Sequence, residues 1–366
     1  MTRPLVTLSL LIVSAFFLLG TCAQGPAESA ADFEQRIMPE EVVEAEPELD
    51  AQHERLEARL REIGGTFSGE VGIAAVEVAS GATMAYNGDR PFPQQSVSKL
   101  WVALTALDLV DEGALDLSEP AAIRREDLTV FYQPIRDIVR TRGVFRTDYR
   151  DLMERALTQS DNTANDRLLR RVGGPQAVDA FIRRKGIEGV QFGTDERSKQ
   201  SAIAGLDWQP SYSIGRNFYD ARDRVPDDRR RAAFEDYLHD PIDGASASAM
   251  AQALARLARG ELLSPRSTKF ILSTLENTKS GPKRLKGGVP SGWSIAHKTG
   301  TGQVFDGDHS GYNDVGVLTA PDGRQYALAV MIARTRTSYA ARFEMMQSVT
   351  RAVVEYHEAR MASETT

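Results

Sequence analysis

The sequence is poor in the residues that several common kinds of site require. It has one cysteine, Cys22, so that no intrachain disulfide can form. Its five histidines are dispersed along the chain, and no pair has the spacing of a zinc site. No phosphate-binding loop and no dinucleotide-binding fingerprint is present. We therefore expect a function that needs neither a metal nor a cofactor.

A large excess of charge of one sign occurs in a single segment. Residues 24–50 carry nine acidic side chains and one basic side chain, a core-poor composition that predicts a disordered, solvated spacer. The formal net charge of the chain is −7; this spacer contributes −8 and Arg3 contributes +1, so residues 51–366 carry no net charge. A neutral body gives no support for nucleic-acid binding.

An apolar stretch near the N-terminus is too short for an ordinary membrane span. The stretch Leu5–Leu19 has 15 residues and follows the positive charge of Arg3, whereas a spanning helix needs about 20 residues. We interpret residues 1–23 as a signal peptide that is cleaved off, leaving a soluble periplasmic protein. The alternative is a lipoprotein signal, because Leu19-Gly-Thr-Cys22 resembles a lipoprotein box and a lipid on Cys22 would anchor the protein to the membrane.

The body of the chain, residues 51–362, has the length of one large domain or of two interleaved lobes. Strand patterns occur near both of its ends, whereas the pattern between residues 95 and 282 is mostly helical. The predicted strands are 69–78, 82–87, 293–300, 312–320 and 326–334. We predict an α/β (α+β) fold of two lobes. Helices from both chain ends flank one antiparallel sheet, the second lobe is mostly helical, and the active site lies in the cleft between the lobes.

Ser96-x-x-Lys99 precedes an apolar run at a predicted helix start. Residues three apart share one helical face, so the hydroxyl and the amine come within reach of each other. A lysine shielded from water can take the proton of a serine and make it a nucleophile. Taken alone, the pair is better explained as an exposed helix start. A second match, Ser280-x-x-Lys283, is broken by Gly and Pro and cannot hold a helical face.

Two further short motifs follow along the chain. Ser160-Asp161-Asn162 lies between helical patterns, where these residue types are typical helix caps. The functional interpretation makes Ser160 a proton relay and Asn162 the ligand of a substrate carbonyl. Lys298-Thr299-Gly300 closes a predicted strand, where small glycines let a ligand approach the backbone. The simpler interpretation of this triplet is a polar strand end.

In this order, on a helix, an inter-helix loop and a strand, the three motifs resemble those of the class A β-lactamases. These enzymes belong to a wider penicillin-recognising serine family that includes the DD-peptidases. The similarity covers roughly residues 50–360, apart from one insertion. It implies that Ser96 is the acylated nucleophile and Lys99 its partner. It also implies that Ser160 passes a proton to the leaving lactam nitrogen, Asn162 binds the substrate amide, Lys298 and Thr299 attract the substrate carboxylate, and the backbone N–H groups of Ser96 and Thr301 form the oxyanion hole.

The resemblance further implies a glutamate that activates water for deacylation. Glu196 follows Ser160 by 36 residues, which is the family spacing, and Gln200 would hold the water with it. The surroundings depart from the family, because the usual Trp and Pro are absent and Thr194 replaces a bracing arginine. The adjacent Asp195 is a competing candidate for the carboxylate that activates water. Glu196 as an ordinary loop carboxylate stays the alternative.

Three features concern the edges of the expected site. Tyr132 resembles the aromatic residue at the rim, or it is an ordinary half-exposed loop tyrosine. Arg334, at the end of the last predicted strand, is either a second carboxylate anchor or a solvated arginine. Residues 201–242 form an aromatic-rich insertion, with a predicted helix over 227–238, that packs on the body or covers one wall of the cleft.

We therefore expect a periplasmic serine β-lactamase of class A type. It would be a monomer that binds small β-lactam substrates and opens them by acylation and hydrolysis. One alternative is a cell-wall DD-peptidase or a related serine hydrolase of the same fold, which lacks a positioned general base for water. The other is a covalent β-lactam receptor, whose acylation is stable and whose insertion would serve a partner.

Overall fold

The computed structural model describes residues 47–364, and the body of the chain is organised around one antiparallel sheet of six strands. The strand order is β2-β1-β10-β9-β7, and β8 pairs with β9. The strands of the described residues are β1 (Gly69–Glu77), β2 (Thr83–Tyr86), β3 (Pro91–Pro93), β4 (Pro120–Ile123), β5 (Phe145–Asp148), β6 (Gly244–Ser246), β7 (Ser294–Thr301), β8 (Val304–Phe305), β9 (Asp308–Thr319) and β10 (Gln325–Thr335). Outside the main sheet, β3 pairs with β6 and β4 pairs with β5.

The two ends of the chain meet in the main sheet. β1 pairs with β10, so that Ile73 lies opposite Val330, and β10 continues through β9 to β7. All five predicted strands are present, and their ends agree with the prediction to within a few residues. The predicted fold class is confirmed.

Helices cover both faces of this sheet and form the second lobe. Their bounds are α1 (Pro47–Thr66), α2 (Lys99–Asp111), α3 (Ile135–Arg142), α4 (Tyr149–Glu154), α5 (Asn162–Arg171), α6 (Pro175–Arg184), α7 (Glu196–Ile203), α8 (Asn217–Arg222), α9 (Asp227–His239), α10 (Ala247–Ala258), α11 (Pro265–Glu276) and α12 (Tyr339–Glu364). A π-helical turn (Arg155–Gln159) extends α4 towards α5.

The first and last helices cover one face of the sheet. Leu60 of α1 and Val353 of α12 share a buried apolar cluster with Ile73 and Val330 of the sheet. On the other face, Met250 of α10 belongs to a second cluster that continues into the helical lobe. Both terminal helices thus bury apolar side chains against the sheet.

Helix α2 lies at the centre of the helical lobe. Every residue from Lys99 to Asp108 is buried, as expected for a helix whose whole circumference contacts protein. Ser96 lies directly before it, in a 3₁₀ turn (Gln95–Ser98). The apolar run after the serine therefore fixes the position of the serine and the lysine relative to the rest of the lobe.

The insertion packs on the body through two aromatic groups. Phe218 of α8 is buried with Val130, and Phe234 and Tyr237 of α9 are buried with Phe305. The helix predicted over 227–238 is confirmed as α9.

The N-terminal predictions fall largely outside the described residues. These are the signal peptide over 1–23, with Cys22, and the spacer up to residue 46. The predicted spacer ended at residue 50, whereas α1 begins at Pro47, so that residues 47–50 are helical. Among residues 47–364, no helix is long and apolar enough to cross a bilayer.

Candidate active site

Lys99 links three parts of the chain at the base of the cleft. Its Nζ lies 2.7 Å from Ser96 Oγ and 2.8 Å from Asn162 Oδ1. It also lies 3.2 Å from Glu196 Oε1. Burial lowers the pKa of Lys99 below its usual range; Glu196 opposes this shift, and the charge of Lys199 adds to it. A lysine with a lowered pKa, within hydrogen-bond distance of a serine, can exchange a proton with that serine.

Glu196 is the first residue of α7, and its side chain is buried. Gln200, one turn further on, donates from Nε2 to Glu196 Oε2 at 3.2 Å. The neighbouring Asp195 has a different contact, because it caps α7 by accepting from the Ser198 amide at 2.8 Å. The structure therefore brings Glu196, and not Asp195, into contact with Lys99.

A second lysine, Lys199, also touches the Glu196 carboxylate. Its Nζ is 3.3 Å from Glu196 Oε1 and 3.1 Å from Asp243 Oδ2. Burial alone would raise the pKa of Glu196, but the charges of Lys199 and Lys99 and donation by Gln200 outweigh it and lower this pKa to about 2. The sequence analysis missed Lys199, although its place three residues after Glu196 on one helix was a usable signal.

Asp166 faces the backbone of Glu196 from α5. Its Oδ1 accepts from the Glu196 amide at 3.2 Å. Burial raises the pKa of Asp166 to about 7, and the carboxylates of Asp195 and Glu196 add to that shift. Glu196 is thus held between cationic side chains and a carboxyl group that titrates near neutral pH.

The Ser160-Asp161-Asn162 segment combines capping with cleft contacts. Asp161 accepts from the Ala164 amide at 3.0 Å, so the capping interpretation holds for this residue. Ser160 has φ of 61°, in the left-handed region that is uncommon outside glycine. Asn162 donates from Nδ2 to the carbonyl of Val130 at 3.0 Å, while its Oδ1 accepts from Lys99. Ser160 and Asn162 both line the cleft.

Strand β7 supplies the opposite wall. Lys298 is fully buried and donates to Ser160 Oγ at 3.1 Å; burial, Lys99 and Arg284 lower its pKa well below the usual range. Thr299 and Thr301 line the cleft. Thr299 Oγ1 shares a hydrogen bond of 2.7 Å with Ser280.

Arg284 is a cleft residue that the sequence analysis did not single out. It donates to Thr301 Oγ1 at 2.6 Å and to the carbonyl of Gly300 at 2.8 Å. Its guanidinium carbon lies 3.7 Å from the ring centre of Tyr312. It lines the cleft beside Thr299, whereas Lys298 is not among the lining residues.

These residues surround a cavity of about 670 Å³. Tyr132 lines it and is 60 % exposed, as a rim position requires. Arg334 does not line it and instead forms an ion pair with Glu235 of α9. In the described part of the chain, no group of three or more His, Cys, Asp and Glu side chains could hold a metal ion.

Comparison with known proteins places this geometry in context. Residues 55–357 match the model of the "Beta-lactamase enzyme family". β-Lactamase VEB-1 of Pseudomonas aeruginosa is 24 % identical over 309 residues, which cover 84 % of this chain and 92 % of the relative. The extended-spectrum β-lactamase PER-1 of the same organism is 28 % identical over 286 residues, or 78 % and 82 % of the two chains.

The fold of this chain is also similar to that of solved β-lactamase structures. A β-lactamase from Chitinophaga pinensis has a TM-score of 0.65 and 27 % identity, over 85 % of this chain and 99 % of the other. The TLA-1 extended-spectrum β-lactamase has a TM-score of 0.69, over 83 % of this chain and 99 % of the other. Its identity to this chain is 23 %, so the similarity shows the fold alone.

Proposed function

Because this chain belongs to the β-lactamase enzyme family, we propose that it hydrolyses β-lactam antibiotics by acylation of Ser96 and hydrolysis of the resulting ester. One observation carries the proposal: the Nζ of Lys99 lies 2.7 Å from Ser96 Oγ and 3.2 Å from Glu196 Oε1. A nucleophile and a carboxylate that could activate water thus share one partner.

In the first step, Ser96 Oγ attacks the lactam carbonyl carbon and the carbon–nitrogen bond breaks. Lys99, whose pKa burial lowers, takes part in removing the serine proton. Ser160 delivers a proton to the lactam nitrogen, and Lys298 holds Ser160 Oγ from behind the cleft wall. The backbone N–H groups of Ser96 and Thr301 bind the developing oxyanion.

In the second step, water attacks the ester carbonyl carbon and Ser96 Oγ leaves with a recovered proton. Glu196 accepts the proton from that water, with Gln200 beside it. A positioned general base of this kind contributes about 10²–10⁴-fold to a rate. The lowered pKa of Glu196 supports this role, because a base has to be ionised at the working pH.

Binding contacts come from both walls of the cleft. Asn162 binds the side-chain amide of the substrate. Thr299 and Thr301 bind the carboxylate on the substrate ring system, with the guanidinium of Arg284 and the amine of Lys298 nearby. Tyr132 contacts the substrate from the rim.

The experiment is hydrolysis of a chromogenic cephalosporin by the purified protein, with Ser96→Ala as its control. We expect continuing turnover by the wild type and none by the variant. A burst of one equivalent without turnover would favour the covalent receptor. Cleavage of a D-Ala-D-Ala peptide with no cephalosporin hydrolysis would favour the DD-peptidase.

We also propose that residues 1–23 direct export and that a monomer acts in the periplasm. The charged start and the short apolar stretch support this assignment. The mass of the protein recovered from the periplasm should equal that of a chain starting at Gln24. A mass that starts at a lipid-modified Cys22 would instead identify a lipoprotein.

A further inference from the structure

The insertion reaches the catalytic cavity through one short helix. Phe218 of α8 packs on Phe131, with ring centres 5.0 Å apart at 79°. Tyr219 follows and lies 5.8 Å from the same Phe131 ring. Because Val130 and Phe218 are buried together, α8 is fixed against the loop that carries the rim residue Tyr132.

Two side chains of α8 line the cavity as a result. They are Tyr219 and Arg222, which lie three residues apart and so on one helical face. The guanidinium carbon of Arg222 lies 5.2 Å from the centre of the Tyr219 ring. A guanidinium in contact with an aromatic ring keeps the N–H donors in its own plane for other partners.

Arg222 is a cation without a strong partner. Its side chain makes no hydrogen bond to any of the described residues, and its Nε is buried and unpaired. The nearest carboxylate is Asp223, at 3.7 Å from Nε, and the Asp223 side chain is 55 % exposed to water. The Arg222 side chain is only 18 % exposed. A guanidinium this far withdrawn from water is suited to a carboxylate, which it can bind through two parallel hydrogen bonds.

The rest of the cavity already has cationic groups for one substrate carboxylate. Arg284 lines the cavity and contacts Thr301 on the β7 side, and Lys298, which does not line the cavity, contacts Ser160 from behind. Arg222 belongs to a different wall, made by the insertion and by the Phe131 loop. The cavity therefore has positive charge on two walls, whereas a penicillin nucleus carries a single carboxylate.

We propose that Tyr219 and Arg222 form a subsite for a second carboxylate, carried on the acyl side chain of the β-lactam. The subsite rests on the proposed function, and it assigns a substrate class: β-lactams with an acidic side chain next to an aryl group. Tyr219 and Phe131 contact the aryl ring, and Arg222 binds the acid.

Two penicillins isolate this contact. Carbenicillin differs from benzylpenicillin by one carboxylate on the carbon that carries the phenyl ring. For Arg222→Gln, we expect the ratio of kcat/KM for carbenicillin to kcat/KM for benzylpenicillin to fall about tenfold, the size of one lost charge-assisted contact. Arg222→Lys should recover part of that ratio, since it restores the charge without the planar fork.

Arg216 supplies the matched control. It stacks on the same Tyr219 ring, at 5.7 Å, but does not line the cavity and is 75 % exposed. Arg216→Gln removes the same charge from the same insertion and should leave the ratio unchanged.

Two results for the ratio would overturn the subsite. An equal loss with both penicillins would mean that Arg222 acts on the nucleus or on the cavity wall. An unchanged ratio would mean that it binds no side-chain acid. If the wild type forms a stable adduct without turnover, rates of Ser96 acylation measured by mass spectrometry give the same comparison. If neither penicillin acylates Ser96, the proposed function itself fails and the subsite fails with it.

Discussion

Lys199 Nζ lies 3.3 Å from Glu196 Oε1, one turn further along the same helix, and both side chains are buried. The carboxylate is thus held between two ammonium groups, since Lys99 approaches it from α2 at 3.2 Å. Asp243 holds Lys199 from the far side, at 3.1 Å. This arrangement keeps Glu196 ionised inside protein, where an unpaired carboxylate would take up a proton.

Replacing Lys199 should therefore change how activity depends on pH. The charge of Lys199 is the largest influence that lowers the pKa of Glu196, so Lys199→Met raises that pKa. Because the general base must be deprotonated, activity will fall at a higher pH on the acid side than in the wild type. The measurement is kcat for a penicillin from about pH 2 upwards, so that it includes the region in which Glu196 of the wild type loses its proton. Lys199→Arg keeps the charge and should keep the wild-type acid limb, and an unmoved limb in Lys199→Met would contradict the account.

We expect Asp166 to cause a separate ionisation in the pH dependence of kcat, both in the wild type and in Lys199→Met. Its pKa is raised to about 7, with burial as the main cause. Asp166→Asn should remove a limb near neutral pH while leaving the limb that moves with Lys199. If Asp166→Asn shifts the low-pH limb as well, the two groups titrate as one unit.

Tyr237 ties the insertion to the catalytic region. Its hydroxyl donates to Asp243 Oδ1 at 2.9 Å and accepts from Gln95 Nε2 at 2.8 Å. Tyr237→Phe leaves two buried polar groups short of a partner, so we expect the free energy of unfolding to fall by about 1–3 kcal/mol. Tyr212→Phe is the control variant, because the Tyr212 hydroxyl makes no hydrogen bond within residues 47–364. Equal stability of the two variants in urea would show that the Tyr237 hydroxyl stabilises nothing.

Residues 24–46 should be dispensable for catalysis. Their acidic, core-poor composition motivates this prediction. A protein that begins at Pro47 keeps all of α1, including the turn that the spacer prediction had assigned to the linker. Its kcat/KM and its unfolding midpoint should equal those of the longer protein. A large loss of turnover would show that the segment contacts the body.

The fold followed from the sequence because its signals are local and strong. The strand patterns near both chain ends indicate one shared sheet, whatever the helices between them do. The predicted end of the spacer, residue 50, lies inside α1, because acidic residues suit both a solvated spacer and a first helical turn, as residues 47–50 show.

The site was only partly predictable, for a physical reason. Ser96 and Lys99 are close in sequence, so helical spacing brings them together. The choice between Asp195 and Glu196 depended on which one caps α7, and two adjacent carboxylates look alike in sequence. Arg284 could not be found, because its partners Gly300 and Thr301 lie in another segment of the chain. Arg222 contacts its near neighbour Tyr219, but the cavity that both residues line is formed by segments distant in the chain.

The Glu196→Gln protein tests the central claim most directly. Lys99 and Ser160 are intact in it, so acylation proceeds, but no carboxylate remains to activate water. Asp195→Asn is its control, because Asn also caps helices well and that variant should turn over almost normally. The measurement is the intact mass of each protein, followed by peptide mapping, after mixing with a penicillin. Our account predicts one equivalent of penicillin on Ser96 in Glu196→Gln and free enzyme in Asp195→Asn. Free enzyme in Glu196→Gln with full turnover, or an adduct on another residue, would contradict it.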